Sequence, residues 1–140
     1  MQHVQTLHAE AYPEIFRRVL DPESTARFFA DIVTQDRNIV LVASIEERTI
    51  GYVWCEERVS AGSFYAHESH SGHIHHVSVS PSHRRHGVGK TLVDHALAAL
   101  KARGAHRVTV DFWGFNETSR AFFRNAGFLL EREFCGRGLS

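Results

Sequence analysis

Cysteine is scarce in this 140-residue chain, where only Cys55 and Cys135 occur, far apart. A disulfide framework needs several paired cysteines, and a zinc or redox motif needs them closely spaced, so both classes fall away and a reducing compartment is the simpler reading. Net charge is missing too, because 16 basic residues face 16 acidic ones. That balance leaves no electrostatic footprint for duplex nucleic acid or an anionic membrane, although local basic patches remain open. No apolar run approaches the roughly 20 residues a membrane helix needs. The opening Met1-Gln2-His3-Val4-Gln5 has neither the basic start nor the apolar stretch of a signal peptide. The expectation is a cytoplasmic protein with no nucleic-acid or membrane partner.

The hydrophobic share of 43% and charged share of 23% are those of a packed globular chain. No repeat, linker or low-complexity stretch divides the sequence, so residues 1–140 are read as a single domain. Eleven histidines are many for this length, and the charge rises as pH falls through about 6.5.

Val4, Leu7, Ala11 and Ile15 recur at helical spacing, with Pro13 among them. An interior proline breaks the helical ladder, which places a helix up to about Tyr12 and a turn through Phe16. Asp21-Pro22 reads as an N-cap with proline at the first helical position, and Phe28, Phe29, Ile32 and Val33 give that second helix its stripe. Ile39 to Ala43 is a short β-branched run, Glu46-Glu47-Arg48 a turn, and Thr49 to Val59 an alternating segment, together an antiparallel pair. Ser60 to Ser71 reads as an exposed loop. Ile74, Val77 and Val79 begin another strand, which Pro81 closes. From Gly87 to Arg103, the residues Val88, Leu92, Val93, Ala96, Leu97 and Leu100 form one helical face, and Gly104 stops it. Arg107 to Trp113 reads as a strand, Asn116 as the cap of a short helix ended by Gly127, and Phe128 to Phe134 as a final strand. The class is mixed α/β, with a sheet partly antiparallel and partly parallel.

Chemistry concentrates where the strand ending Val77-Ser78-Val79 runs through a basic loop, Arg84-Arg85-His86-Gly87-Val88-Gly89-Lys90, into the long helix. Helix N-termini expose amides and the positive end of the dipole. Gly87 and Gly89 clear space for a phosphate, and Arg84, Arg85 and Lys90 add charge, so the stretch is a candidate pyrophosphate site. A glycine-containing helix start beside a solvated basic turn would look the same from two glycines alone. A Walker A loop needs glycine at position 84, which is arginine, and a dinucleotide fingerprint needs a third glycine.

The pattern Arg84-x-x-Gly87-x-Gly89 after that strand resembles the acetyl-CoA loop of the GNAT superfamily of N-acetyltransferases. A second block, Val108 to Phe128, is similar to that superfamily's strand, asparagine-capped helix and closing glycine–phenylalanine. The resemblance covers nearly the whole chain. It implies a twisted mixed sheet flanked by helices, with acetyl-CoA as co-substrate and no metal. Backbone groups at Val77 and Val79 would hold the pantetheine arm where two strands splay apart. The loop Arg84, Arg85, His86, Gly87, Val88, Gly89 and Lys90 would cradle the pyrophosphate. Asn116 would bond the pantetheine, and Phe122 or Phe123 would pack near it. Helix capping for Asn116 and core packing for the two phenylalanines are the alternatives.

Acetyl transfer to an amine must remove the amine's proton, stabilise the carbonyl oxygen and release a thiolate. A backbone N–H near Val79 serves the second need in the resemblance. His73 and His75 point to one face of a regular strand and His76 to the other, and neutral imidazole near pH 7 suits proton transfer. His73 falls where histone acetyltransferases of the superfamily carry glutamate, and the His73-x-His75 pair resembles the strand histidines of arylalkylamine acetyltransferases. The two are candidates for a catalytic proton relay, set against a bland role on a half-exposed strand.

Two features depart from the family pattern. Phe123 stands where many members have a tyrosine able to protonate the leaving thiolate, and the strand that usually precedes the first helix is missing. An uncovered sheet edge invites pairing with a second copy, a homodimer. The function expected is acetyl transfer to a primary amine of a small molecule or peptide. The alternatives are a catalytically weak CoA-binding sensory domain and a metal-binding cluster of His70, His73, His75 and His76. Tyr12, Phe16, Phe28, Trp54, Phe64 and Tyr65 are candidate acceptor-lining residues, and Glu56, Glu57, Glu68 and Asp111 are candidate partners for a cationic amine.

Overall fold

The computed structural model describes residues 2–139. Helix α1 spans Gln2–Ala11 and α2 Pro22–Val33; β1 spans Asn38–Ile45, β2 Arg48–Ser60 and β3 Ser69–Val79; a 3-10 turn over Pro81–His83 precedes α3, Val88–Ala102; β4 covers Arg107–Val110 and α4 Glu117–Asn125. The sheet order is β1-β2-β3-β4. The first two pairings are antiparallel, and β3 and β4 run parallel. Among the described residues α1 is the first element.

Local chemistry accounts for the helix starts. The Asp21 carboxylate accepts the Ser24 N–H at 2.8 Å, and Pro22 occupies the first turn, where its missing N–H costs nothing. Two sides of the sheet are covered. On one, α3 lays Leu92, Val93, Ala96 and Leu100 over Ile39, Val53, Cys55 and Ile74, which makes the central core. On the other, Phe28 and Phe29 of α2 meet Trp54 and Tyr52 edge to face.

Three segments differ from the sequence expectation. The Ser60–Ser71 loop shrinks to residues 61–68, because the β2–β3 ladder continues through Val59↔His70 and Ser60↔Ser69 despite the serines. β4 stops at Val110 and not Trp113, since the Trp113 ring packs on Tyr12 and Phe16 at 4.8 and 5.0 Å and draws the chain toward α1. The final strand over Phe128–Phe134 does not form. Its order is Phe-Leu-Leu-Glu-Arg-Glu-Phe, which pairs adjacent apolar residues with an uninterrupted polar triplet and offers no alternating face to bury. Phe128 packs on Phe123, while Leu129 and Phe134 are 84% and 94% exposed.

Leu100 is fully buried at the centre of α3's contact with the sheet. Leu100→Ala should lower the unfolding free energy by about 2–5 kcal/mol, the usual range for a buried leucine truncated to alanine. Urea denaturation followed by circular dichroism reads this directly, and a change close to zero would misplace the core.

Candidate active site

Pairing between β3 and β4 runs from Ser71↔Arg107 to Ile74↔Val110 and then ends, while β3 continues to Val79. A cleft therefore opens beside the second half of β3. Val77 and Val79 lie along it, held from the other side by Val53 and Gly51 of β2. At its end the Arg84 Nε–H donates to the Val79 carbonyl at 3.1 Å.

The helix behind this cleft begins at Gly87, whose φ of +80° is a left-handed conformation suited to glycine. A Cβ added there would meet nothing within 4 Å, so the approach is open. The first bond closing the helix runs from Thr91 N–H to Gly87 O at 3.0 Å, which leaves the amides of Val88, Gly89 and Lys90 ahead of the ladder at the positive end of the dipole. Gly89 does different work: a Cβ there would lie 3.2 Å from the Phe122 ring, so its absence lets α4 pack on α3. Arg85, at φ +62°, and His86 are exposed on the loop. The Lys90 ammonium is paired with Asp94 at 2.6 Å. Asn116 caps α4, accepting the Ser119 N–H at 3.1 Å. Phe122 meets Phe123 edge to face, and Phe123, only 7% exposed, stacks on Phe112 in the core.

The histidines of β3 are rearranged by a bulge. Trp54 pairs with His76 and Cys55 with Ile74, so His75 has no opposite number. One extra residue shifts the side-chain phase beyond it. Ile74 and Val77, opposite the core residues Cys55 and Val53, consequently share the α3 side. His76 does not turn away as regular alternation predicts: Trp54 stacks on His75 at 4.1 Å and meets His76 edge-on at 5.2 Å. His73 and His75 lie 4.9 Å apart, nearly perpendicular.

Each member of that pair has its own partner. His73 Nδ1 is 2.8 Å from the Thr109 hydroxyl, and His73 Nε2 is 3.9 Å from Asp111, a carboxylate 86% exposed at the cleft mouth. His75 Nε2 is 2.7 Å from Glu56 Oε2. Burial, with the Arg58 charge adding to it, holds the His73 pKa below that of an ordinary histidine, so its ring is neutral at pH 7. Glu56, one of the four candidate carboxylates, sits opposite His73 on β2. Only the hairpin register reveals that neighbour.

His70 is engaged elsewhere, 2.7 Å from Glu57, which also meets Arg103. Among the described residues no group of three or more His, Cys, Asp or Glu is arranged to hold a metal ion. Of the candidate acceptor-lining rings, Phe28 packs on Trp54, Tyr12 and Phe16 join His8 and Trp113, and Phe64 and Tyr65 stand out on the 61–68 loop. No helix among the described residues is long and apolar enough to cross a membrane.

The model of the acetyltransferase (GNAT) family matches residues 1–128. A mycothiol acetyltransferase from Beutenbergia cavernae is 38% identical over 58 residues, which span 41% of this chain and 20% of that protein. Among solved structures, a mutant of the BH1408 protein from Bacillus halodurans is similar with a TM-score of 0.88 at 22% identity, over 99% of this chain and 88% of that one. The aminoglycoside acetyltransferase AAC(6')-Iy, solved with a bisubstrate analogue of CoA and acetylneamine, is similar with a TM-score of 0.72 at 19% identity, over 99% and 91% of the two chains. Both structural likenesses are likenesses of fold.

Burial behind Phe29 and Trp54 pulls the His76 pKa down to about 4 from 6.5. The unfolded chain thus binds this proton more readily, so the stability is intact above pH 6.5 and is lost as pH falls toward about 4. The loss attributable to His76 is on the order of 3 kcal/mol. His76→Phe should flatten the dependence of urea-unfolding free energy on pH across that window. His8 and His73, shifted the same way, leave a residual slope. An undiminished slope in the variant would contradict the assignment.

Proposed function

The chain belongs to the acetyltransferase (GNAT) family, and we propose that it moves the acetyl group of acetyl-CoA directly to a primary amine of a small molecule or peptide. The observation carrying this reading is the cleft left where β3 outruns β4, with the N-terminus of α3 behind it. The residues present fit the donor. Gly87 leaves an unobstructed approach to the amides that open α3, Arg84 and Arg85 bring positive charge to the same loop, and His73 and His75 lie on the strand that borders the cleft.

In this reading the loop from Arg84 to Lys90 binds the pyrophosphate through backbone amides, with charge from its basic side chains. Val77 and Val79 offer main-chain groups to the pantetheine arm, and a backbone N–H near Val79 stabilises the carbonyl oxygen. Asn116 bonds the arm in addition to capping α4, and Phe122 or Phe123 packs near it. Acetyl-CoA supplies an activated thioester. The amine nitrogen bonds to the acetyl carbon, the carbon–sulfur bond breaks, and the amine's proton passes to the His73/His75 pair and on to solvent. Phe123 has no proton to give, but a thiol with a pKa of about 8.5 leaves as thiolate with little help.

A CoA-release screen across amine classes tests the reading. The protein should acetylate at least one of spermidine, tryptamine, kanamycin and an alanine-terminated peptide. The double variant His73→Gln/His75→Gln should lower kcat/KM by about 100-fold or more while acetyl-CoA binding persists. Gly87→Val, which forces a branched side chain into the left-handed region, should weaken calorimetric acetyl-CoA affinity about tenfold. Tight CoA binding without transfer to any amine would replace the enzyme with a CoA-sensing domain.

A further inference from the structure

His75 is the residue that the β3 bulge ejects from the ladder, and its surroundings on β2 are more specific than a half-exposed strand requires. Trp54 stacks on one face of the ring, 4.1 Å away and inclined by 17°. Glu56 Oε2 lies 2.7 Å from Nε2, and the Glu56 side chain is only 17% exposed. That carboxylate is itself held by two guanidinium groups, Arg37 at 3.3 Å on Oε1 and Arg58 at 3.2 Å on Oε2. Burial works to raise the Glu56 pKa, and the hydrogen bond from His75 together with Arg58 more than offsets it, so the group is ionised at neutral pH.

An ionised carboxylate only accepts hydrogen bonds, so the proton between the two groups must sit on His75 Nε2. The neutral ring then carries its lone pair on Nδ1. His73 has no such carboxylate at hydrogen-bonding distance, since its close partner is the Thr109 hydroxyl and Asp111 stands 3.9 Å away. Other charged or titratable groups around the pair are Arg37 ahead of β1, Arg58 on β2, His76 on β3, Asp111 beyond β4, and His8 of α1, which acts on His76.

We propose that Glu56 is a positioning residue for acetyl transfer, holding His75 by Nε2–H so that His75 Nδ1 is the atom that takes the proton from the acceptor amine. This rests on the acetyltransferase reading and narrows its histidine pair to one proton acceptor. The amine gives its proton to Nδ1 as the carbon–nitrogen bond forms. The resulting imidazolium is stabilised against the Glu56 carboxylate, and the Nδ1 proton is then released to solvent. His73, tied to Thr109, supports the ring from the side. Trp54 fixes its plane.

The experiment combines histidine-selective nitrogen-15 NMR with pH-dependent kinetics on whichever panel amine the protein acetylates best. In the unaltered protein the neutral His75 ring should show a protonated Nε2 and an unprotonated Nδ1. Glu56→Gln should lose that single tautomer, lower kcat/KM about tenfold or more, and move the acidic limb of the profile down by about one pH unit. The sign follows because removing a negative neighbour disfavours the imidazolium. Glu56→Asp, which keeps the charge, should recover part of both the limb and the rate. A purely structural glutamate would move neither tautomer nor limb. His75 found with its proton on Nδ1, or a Glu56→Gln protein with unchanged tautomer and profile, overturns the proposal. Failure of the unaltered protein to acetylate any amine is a separate result: it overturns the acetyltransferase reading and with it any catalytic purpose for the dyad.

Discussion

The proposed donor site depends on the parting of β3 from β4 after four paired residues. Two parallel strands that stayed zipped would satisfy each other's backbone and leave no main-chain groups for a ligand. The parting has identifiable causes. On the β4 side, Trp113 is captured by the Tyr12 and Phe16 rings, so the chain leaves the sheet just past Val110. On the other side, β2 stays paired with β3 as far as Val79, across the bulge at His75. One strand is pulled away and its neighbour is pinned.

The bulge at His75 does a second job on the same strand. It keeps Ile74 and Val77 both on the core side, so apolar packing under α3 continues unbroken past His75 and His76. The polar residues are thereby collected on the opposite side around Trp54 and Glu56. Packing and chemistry divide the strand between them, and neither has to give way. The two glycines of the loop show the same division. Gly87 serves backbone conformation and open approach, while Gly89 serves the contact with Phe122.

Much of this was legible in the sequence, and the illegible parts share a cause. Helix α2 was announced by Asp21-Pro22, α3 by its apolar face and Gly104, and α4 by Asn116, because capping and periodicity are local. The loop motif placed the family, and the family model agrees with it over residues 1–128. What stayed hidden is set by pairing between distant segments. The bulge reversed the expected direction of His76, the hairpin register brought Glu56 beside the histidines, and a β-rich reading of Phe128–Phe134 gave way because no ladder received it. Phe123 is similar: the helix pattern located it, but only the packing of Phe112, Phe122 and Phe128 showed how deeply it is enclosed.

The most direct test of the central claim is a coenzyme A titration followed by backbone amide NMR. If the cleft beside β3 and the start of α3 form the donor site, the largest shifts will fall on Val77, Val79 and the amides from Gly87 to Lys90. Saturating shifts confined to another surface, such as the depression lined by Val33, Asn38, Glu57 and Arg103 at the far end of the sheet, would contradict it.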